Sequence, residues 1–385
     1  MNHIFVEIAI VVIVSALLAW AMLMLRQPII IGYIAAGVIL GPWGLRFVTD
    51  IDLINQISDI GITLLLFMAG ITLYPGERMH IFGTSLLLTT ATSLIFAALS
   101  ALIMLTLGFT PVESFIGGGA MMFSSTILVV KLMPTITLHQ QRMGTVSIAV
   151  LIVQDLIAIL LISLIKGNAN LSLTDGLMSI LKGALLVAGA LLLERFIVKR
   201  MIAQVERYTE LLNLIVLAWC FSVSLSADAL GLSHETGAFI GGLSLANNPI
   251  SRYLSEELRF FRDFFLVLFF FDLGAQLDFM LIRNIALPAL LLAVVMLLVK
   301  PAVFSSALRI TGENAKFRRE LGVRLGQNSE FSFIIAFIAA EKGLLSTSAS
   351  QLIQLTAIIT MAASSYFIVS YYPSPLGSNK NLKID

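Results

Sequence analysis

The stretch LIVQDLIAILLI, residues 151–162, sets an amide and an acid, Gln154 and Asp155, side by side in an otherwise unbroken apolar run. The segment around it, roughly Val146 to Ile165, is long enough to cross a bilayer as a helix. Asp155 falls near its middle, where a carboxylate costs at least ~2.5 kcal/mol by insertion scales. An acid at that depth either ties buried helices together or carries an ion or proton in a water-accessible cavity. The pattern along the rest of the chain favours the second reading.

The 385 residues are 58% hydrophobic and 12% charged, half the charge density of a soluble globule, and mean hydropathy is +0.97. This is an all-α polytopic membrane composition. The 27 glycines suit close helix contacts and breaks. The one cysteine, Cys220, cannot form an intrachain disulfide and reads as a small core residue. A net charge of +1 gives no footprint for nucleic acid. The N-terminal apolar stretch contains Glu7 and no cleavage-type segment, so it reads as a retained first helix.

Splitting the apolar runs at charge and Pro/Gly clusters gives about thirteen spans, near 4–25, 29–41, 58–73, 84–108, 112–133, 144–165, 177–197, 209–230, 234–247, 261–275, 285–308, 317–341 and 351–371. A count of twelve is the alternative, because 29–41, 234–247 and 261–275 are short for a straight crossing. With the N-terminus outside and the C-terminus cytoplasmic, seventeen Lys or Arg fall on the cytoplasmic loops and tail. Only Arg46, Lys166, Arg283 and Lys342 fall on the other side. The domain reading is a membrane domain over 1–372 and a short polar tail over 373–385, with no soluble nucleotide-binding domain in this chain.

Two polar interruptions echo one another. GGGAMMFSSTILVV (117–130) carries Gly117, Gly118 and Gly119 ahead of Ser124, Ser125 and Thr126; RLGQNSEFSF (324–333) carries Gly326 ahead of Gln327, Asn328, Ser329 and Glu330. They lie at matching depth in spans of opposite direction, as inverted repeats with two broken helices require. Unwinding is expected where the glycine triplet meets the hydroxyl run. Two polar patches on intact helices packed by small residues are the plainer alternative.

The deep charged residues are Asp155, Lys300 and Glu330, with Arg324 near Glu330. Lys300 precedes Pro301, which disfavours helix geometry at the lysine. A buried ammonium needs a partner, so Asp155 or Glu330 is expected to approach it. His3, His80, His139 and His234 sit at span ends or loops and form no metal-ligand cluster, and no P-loop occurs. A single deep acid holds either a proton or a partly dehydrated monovalent cation. If only the loaded forms cross, one-for-one electroneutral exchange follows, with the neutral Gln154 lending oxygen but no second charge.

GYIAAGVILGPWGL (32–45), ISDIGITLLLFMAGITL (57–73), SSTI (124–127), VQD (153–155), LFFFDLGAQLDF (268–279) and LGQNSEFSF (325–333), in that order, resemble the bacterial monovalent cation:proton antiporter family two, and within it the Kef-type potassium/proton antiporters. The resemblance covers essentially the whole chain. It implies a prokaryotic inner-membrane homodimer of thirteen-helix protomers, each with interleaved core and dimerisation domains, crossed broken helices and elevator-like motion. The family's acid matches Asp155 and the glutamine of its potassium-type members matches Gln154. Its broken-helix hydroxyl matches Thr126, with Ser125 beside it, so potassium is expected at Asp155, Thr126 and Ser125. The core lysine matches Lys300, Gln327 and Glu330 match the second broken helix, and Ser124 supports the first. No cofactor is implied; the transported ions are potassium, or sodium as the alternative, and protons.

Two departures stand out. Asp272 occupies a position the family keeps apolar or small, and a span-end or cavity-rim location is expected for it. Kef-type proteins normally continue into a cytosolic nucleotide-binding regulatory domain, so this chain reads as a piece of a longer one or as a short member regulated by a separate protein. Their acidic regulatory loop corresponds to RYLSEELRFFRD (252–263), with Glu256 and Glu257. The same-class rival is a sodium/proton or mixed exchanger. A passive cation channel is the rival of another class, against which the mid-membrane acid and the lack of a repeated carbonyl filter both argue. An anionic-solute symporter calls for more polar lining than this.

Overall fold

The computed structural model describes residues 3–25, 27–48, 51–72, 79–134, 137, 142–166, 173–205, 208–232, 234–246, 248 and 250–375. They form the helices α1 (His3–Met24), α2 (Ile29–Leu40), α3 (Ile51–Thr72), α4 (Met79–Thr106), α5 (Pro111–Met121), α6 (Thr126–Leu132), α7 (Arg142–Lys166), α8 (Leu173–Leu193), α9 (Lys199–Val205), α10 (Thr209–Ala229), α11 (His234–Leu245), α12 (Ser251–Glu257), α13 (Arg259–Ala275), α14 (Phe279–Ala307), α15 (Ala315–Arg324), α16 (Glu330–Glu341) and α17 (Thr347–Tyr371). A π-helical turn, Glu194–Val198, joins α8 to α9. Among the described residues, six helices are long and apolar enough to cross a membrane by length and composition alone, in α1, α4, α7, α10, α14 and α17.

The starts of these helices are chemically marked. Thr110 and Glu113 form a reciprocal capping box on α5. Ser125, Asp278, Asn314, Ser329 and Ser346 each accept a backbone N–H in the first turn of the helix they open.

The chain divides into two compact units. The first comprises Met1–Thr49, Arg78–Ala158 and Leu273–Asp385. Within it α14 packs on α15 and α17, and α5 packs on α4. The glycine triplet does not unwind: all three residues stay inside α5. Gly117 and Gly118 let α5 press on α4 so closely that a Cβ at either would meet Met104 or the Ala97 carbonyl. The helix breaks after them, across Phe123–Ser125.

The second unit comprises Asp50–Glu77 and Ile159–Asp272. Its centre is α11, held between α3 and α10. Trp219 of α10 donates its indole N–H to the Gly241 carbonyl (3.2 Å) and to Ser244 Oγ (3.1 Å). Gly242 lies directly against the Phe67 carbonyl of α3, so any larger residue would part the two helices.

One sequence expectation is corrected here and another is narrowed. Helix α14 runs through both Pro288 and Pro301, so Lys300 keeps helical geometry. Pro301 is instead a packing surface: Gly322 sits over its carbonyl and Gly326 over its ring. Asp272 lies near a span end, one of its two expected places. It is buried, three residues before α13 ends and next to the buried run Phe269–Phe271.

Candidate functional site

The site is built from two interrupted helices in the first unit. Between α5 and α6 the backbone leaves helical geometry over Phe123–Ser125; between α15 and α16 it does so over Leu325–Ser329. Hydroxyl and amide side chains favour such departures because they compete for the backbone's own hydrogen bonds. Unwound backbone at membrane depth is tolerated only where its polar groups find partners inside the protein, and here they do.

Gln154 of α7, fully buried, serves the first break with both ends of its amide. Its Oε1 accepts from the Ser124 N–H (2.9 Å), and its Nε2 donates to the Met122 carbonyl (3.3 Å). Ser124 Oγ donates to the Leu325 carbonyl of the second break (2.7 Å). Ser332 of α16 donates to the Ala120 carbonyl (2.6 Å). The Asn328 N–H finds Thr360 Oγ1 of α17 (3.2 Å), and Ser364 of the same helix donates to Gln327 Oε1 (3.3 Å).

Lys300 joins the two breaks. Its ammonium donates to the Phe123 carbonyl (2.6 Å), the Gln327 carbonyl (3.2 Å) and Asn328 Oδ1 (2.8 Å), and it lies 5.6 Å from the centre of the Phe96 ring. Three donors meet three uncharged oxygens. The expected carboxylate partner is therefore corrected: no salt bridge to Lys300 occurs among the described residues, because carbonyls freed by the breaks take that place.

Asp155 stands apart from this sealed lattice. It is half-buried, as is Thr126, whereas Ser124, Ser125, Gln154, Gln327 and Lys300 are fully enclosed. Thr126 Oγ1 lies 3.5 Å from both Asp155 oxygens, at the outer limit of a hydrogen bond. The Ser125 hydroxyl is engaged as the α6 cap, accepting from the Leu128 N–H (3.1 Å). Glu330, 4% exposed, accepts from Ser329 Oγ (3.3 Å), and its carboxylate is within electrostatic reach of Asp155.

The structure thus brings Asp155, Thr126, Ser125, Ser124, Gln154, Lys300, Gln327 and Glu330 into one region. It does not include Glu256 and Glu257, which lie on α12 in the second unit, exposed and half-buried respectively. Sequence reasoning missed Asn328 as a ligand of Lys300, although the residue stood in the quoted motif. It also missed the Phe123 carbonyl, for which no side-chain signal exists. Among the described residues no group of three or more His, Cys, Asp or Glu could hold a metal ion.

The family model described as "Sodium/hydrogen exchanger, transmembrane" matches residues 11–369. The glutathione-regulated potassium-efflux system proteins KefC of Salmonella schwarzengrund (strain CVM19633) and Salmonella typhi are each 32% identical over 350 residues, 88% of this chain and 56% of theirs. The chain spans little more than half the length of those relatives. The sodium proton antiporter MjNhaP1 of Methanocaldococcus jannaschii, in its structure at pH 8, superposes with a TM-score of 0.73 at 17% identity. The match covers 94% of this chain and 95% of that one and is a likeness of fold. With the match extending over nearly its whole length, the chain belongs to the sodium/hydrogen exchanger family of transmembrane proteins.

Proposed function

We propose that the protein is a secondary transporter that exchanges potassium for protons one-for-one, with Asp155 as the shared carrier of proton or cation. The observation that carries this reading is the contrast at the breaks. Asp155 and Thr126 remain partly accessible, while the Gln154 amide and the Lys300 ammonium beside them are engaged in holding the backbone. A potassium ion bound there takes oxygen from Asp155 and the Thr126 hydroxyl, and from Ser125, whose cap leaves a lone pair unused. Gln154 acts by shaping the break, since both ends of its amide are engaged.

The likeness to KefC supports potassium as the cargo; the family description favours sodium as the second reading. Proteoliposomes carrying a pH dye, given potassium or sodium gradients in turn with voltage clamped, decide between them. Exchange with neither ion overturns the proposal, and equal rates with both make it a mixed exchanger.

The wider arrangement follows the same reading. The thirteen apolar runs coincide with helices or with the interrupted pairs α5–α6 and α15–α16. That supports thirteen spans, and the two interrupted pairs fit inverted repeats with broken helices; crossed breaks and elevator-like alternating access are what the family resemblance adds to the proposal. The protein is then a homodimer in a prokaryotic inner membrane, with its N-terminus outside and its C-terminus cytoplasmic. Control through Glu256 and Glu257, by a nucleotide-binding domain or a separate subunit, completes the parallel with the regulated relatives.

Two measurements bear on the mechanism. Thr126→Ala is expected to raise the apparent KM for potassium about three- to tenfold, the loss of one oxygen ligand, with less change in maximal rate. Thr126→Val should do at least as much harm, and an unchanged KM in both removes Thr126 from the ion site. Turnover by wild-type protein is expected to generate no membrane potential. A steady voltage in a potential-sensitive dye counts against one-for-one exchange and brings Glu330 into the titration.

A further inference from the structure

Arg324 is 1% exposed at the C-terminal end of α15, and its guanidinium is bonded on several sides. Nη1 donates to the Leu132 carbonyl at the end of α6 (2.9 Å). Nε and Nη2 both donate to Glu320 Oε1, one turn back on α15 (3.1 and 2.8 Å). Nη2 also reaches the Pro373 carbonyl, just beyond α17 (2.7 Å), and the Tyr372 ring lies 5.9 Å away. One side chain thus fixes the far end of the first broken helix, the near half of the second, and the segment leaving the last helix.

Helix α6 has only seven residues, Thr126–Leu132. Its first residue faces Asp155, and its last carbonyl is held by Arg324. So short a helix has too few internal hydrogen bonds to hold itself in place. Its N-terminal end is fixed by the Ser125 cap, and its C-terminal end by the guanidinium fork. A shift at Leu132 therefore reaches the Thr126 hydroxyl through about two helical turns.

We propose that Arg324 is a positioning residue for cation binding: by clamping α6 to α15 and to Tyr372–Pro373, it sets the distance between Thr126 and Asp155. This makes the segment after α17 part of the ion site's support, so displacing Pro373 loosens the site without touching it. The inference rests on the reading of Thr126 and Asp155 as the cation ligands.

The test is a double-mutant cycle on the full chain in proteoliposomes, reading potassium KM and maximal rate for wild type, Arg324→Gln, Thr126→Ala and the pair. Arg324→Gln keeps a donor but loses the fork, and is expected to raise KM about fivefold with maximal rate per folded transporter within about twofold. In the Thr126→Ala background the same change is expected to have little further effect, because the hydroxyl that Arg324 positions is gone. Arg324→Lys, which keeps charge but not fork geometry, should fall between. If Arg324→Gln does not fold, Arg324→Lys is read in the same cycle. A merely structural arginine lowers the folded fraction, leaves KM at the wild-type value and combines additively with Thr126→Ala; either result overturns the proposal. If wild type exchanges potassium but Thr126→Ala leaves KM unchanged, the underlying site reading fails instead.

Discussion

Asp155→Asn is expected to abolish cation-driven proton flux in purified, reconstituted protein while leaving it folded. The substitution keeps the shape of the side chain and a carbonyl oxygen that can still accept from Thr126. It removes the negative charge and the ability to take up a proton. The lattice that holds the two breaks does not depend on it: Gln154 spans Met122 and Ser124, and Lys300 spans Phe123, Gln327 and Asn328. The asparagine also ends the repulsion between Asp155 and Glu330, so thermal stability should stay level or rise. Flux above a few per cent of wild type in a properly folded Asp155→Asn protein would sink the assignment. Glu330→Gln is the companion: if it abolishes flux while Asp155→Asn does not, the carrier is the glutamate.

Much of this architecture was legible in the chain because the membrane makes polar residues conspicuous. Gln154 and Asp155 stand out against Leu151–Ile162, and the serines and threonine at 124–126 against their apolar flanks. The capping residues Ser125 and Ser329 lay inside the quoted motifs, so the approximate place of each break could be read. The break's exact position could not. The triplet Gly117–Gly119 marks the approach to the first break but stays helical, because a glycine in a packed helix is equally an allowance for a close neighbour, and only the position of α4 decides. Lys300 was misjudged for a related reason. Depth alone calls for a counter-charge, but carbonyl oxygens released by two unwound segments solvate an ammonium as well, and backbone acceptors carry no letter in the sequence. Arg324 was noticed for its depth, while its partners Leu132 and Pro373 are nearly 200 and about 50 positions away and offer only their carbonyls.

Lys300 gives the second large effect, and its pattern separates a scaffold from a charge partner. Lys300→Met preserves most of the buried volume but strands the Phe123 carbonyl, the Gln327 carbonyl and Asn328 Oδ1. A stranded buried acceptor costs roughly 1–3 kcal/mol. Against three such losses stands the relief of no longer burying an ammonium. A net destabilisation of about 2–4 kcal/mol is expected, read as a fall in Tm of several degrees in detergent. Exchange should fall with it, because the Phe123 carbonyl lies in the same break that delivers Thr126 to Asp155. Lys300→Gln restores up to two donors on a shorter arm and should recover part of both. The pH dependence carries the distinction. A lysine that donates to neutral oxygens and forms no ion pair with Asp155 leaves the midpoint of exchange activity in Lys300→Gln close to that of wild type. A lysine acting as counter-charge to the carrier would, on its removal, shift that midpoint upward by a unit or more, since the carboxylate would lose the cation that favours its ionised form. An upward shift of that size, in protein whose stability is little changed, would return Lys300 to the role of ion partner and remove it from the frame that holds the breaks.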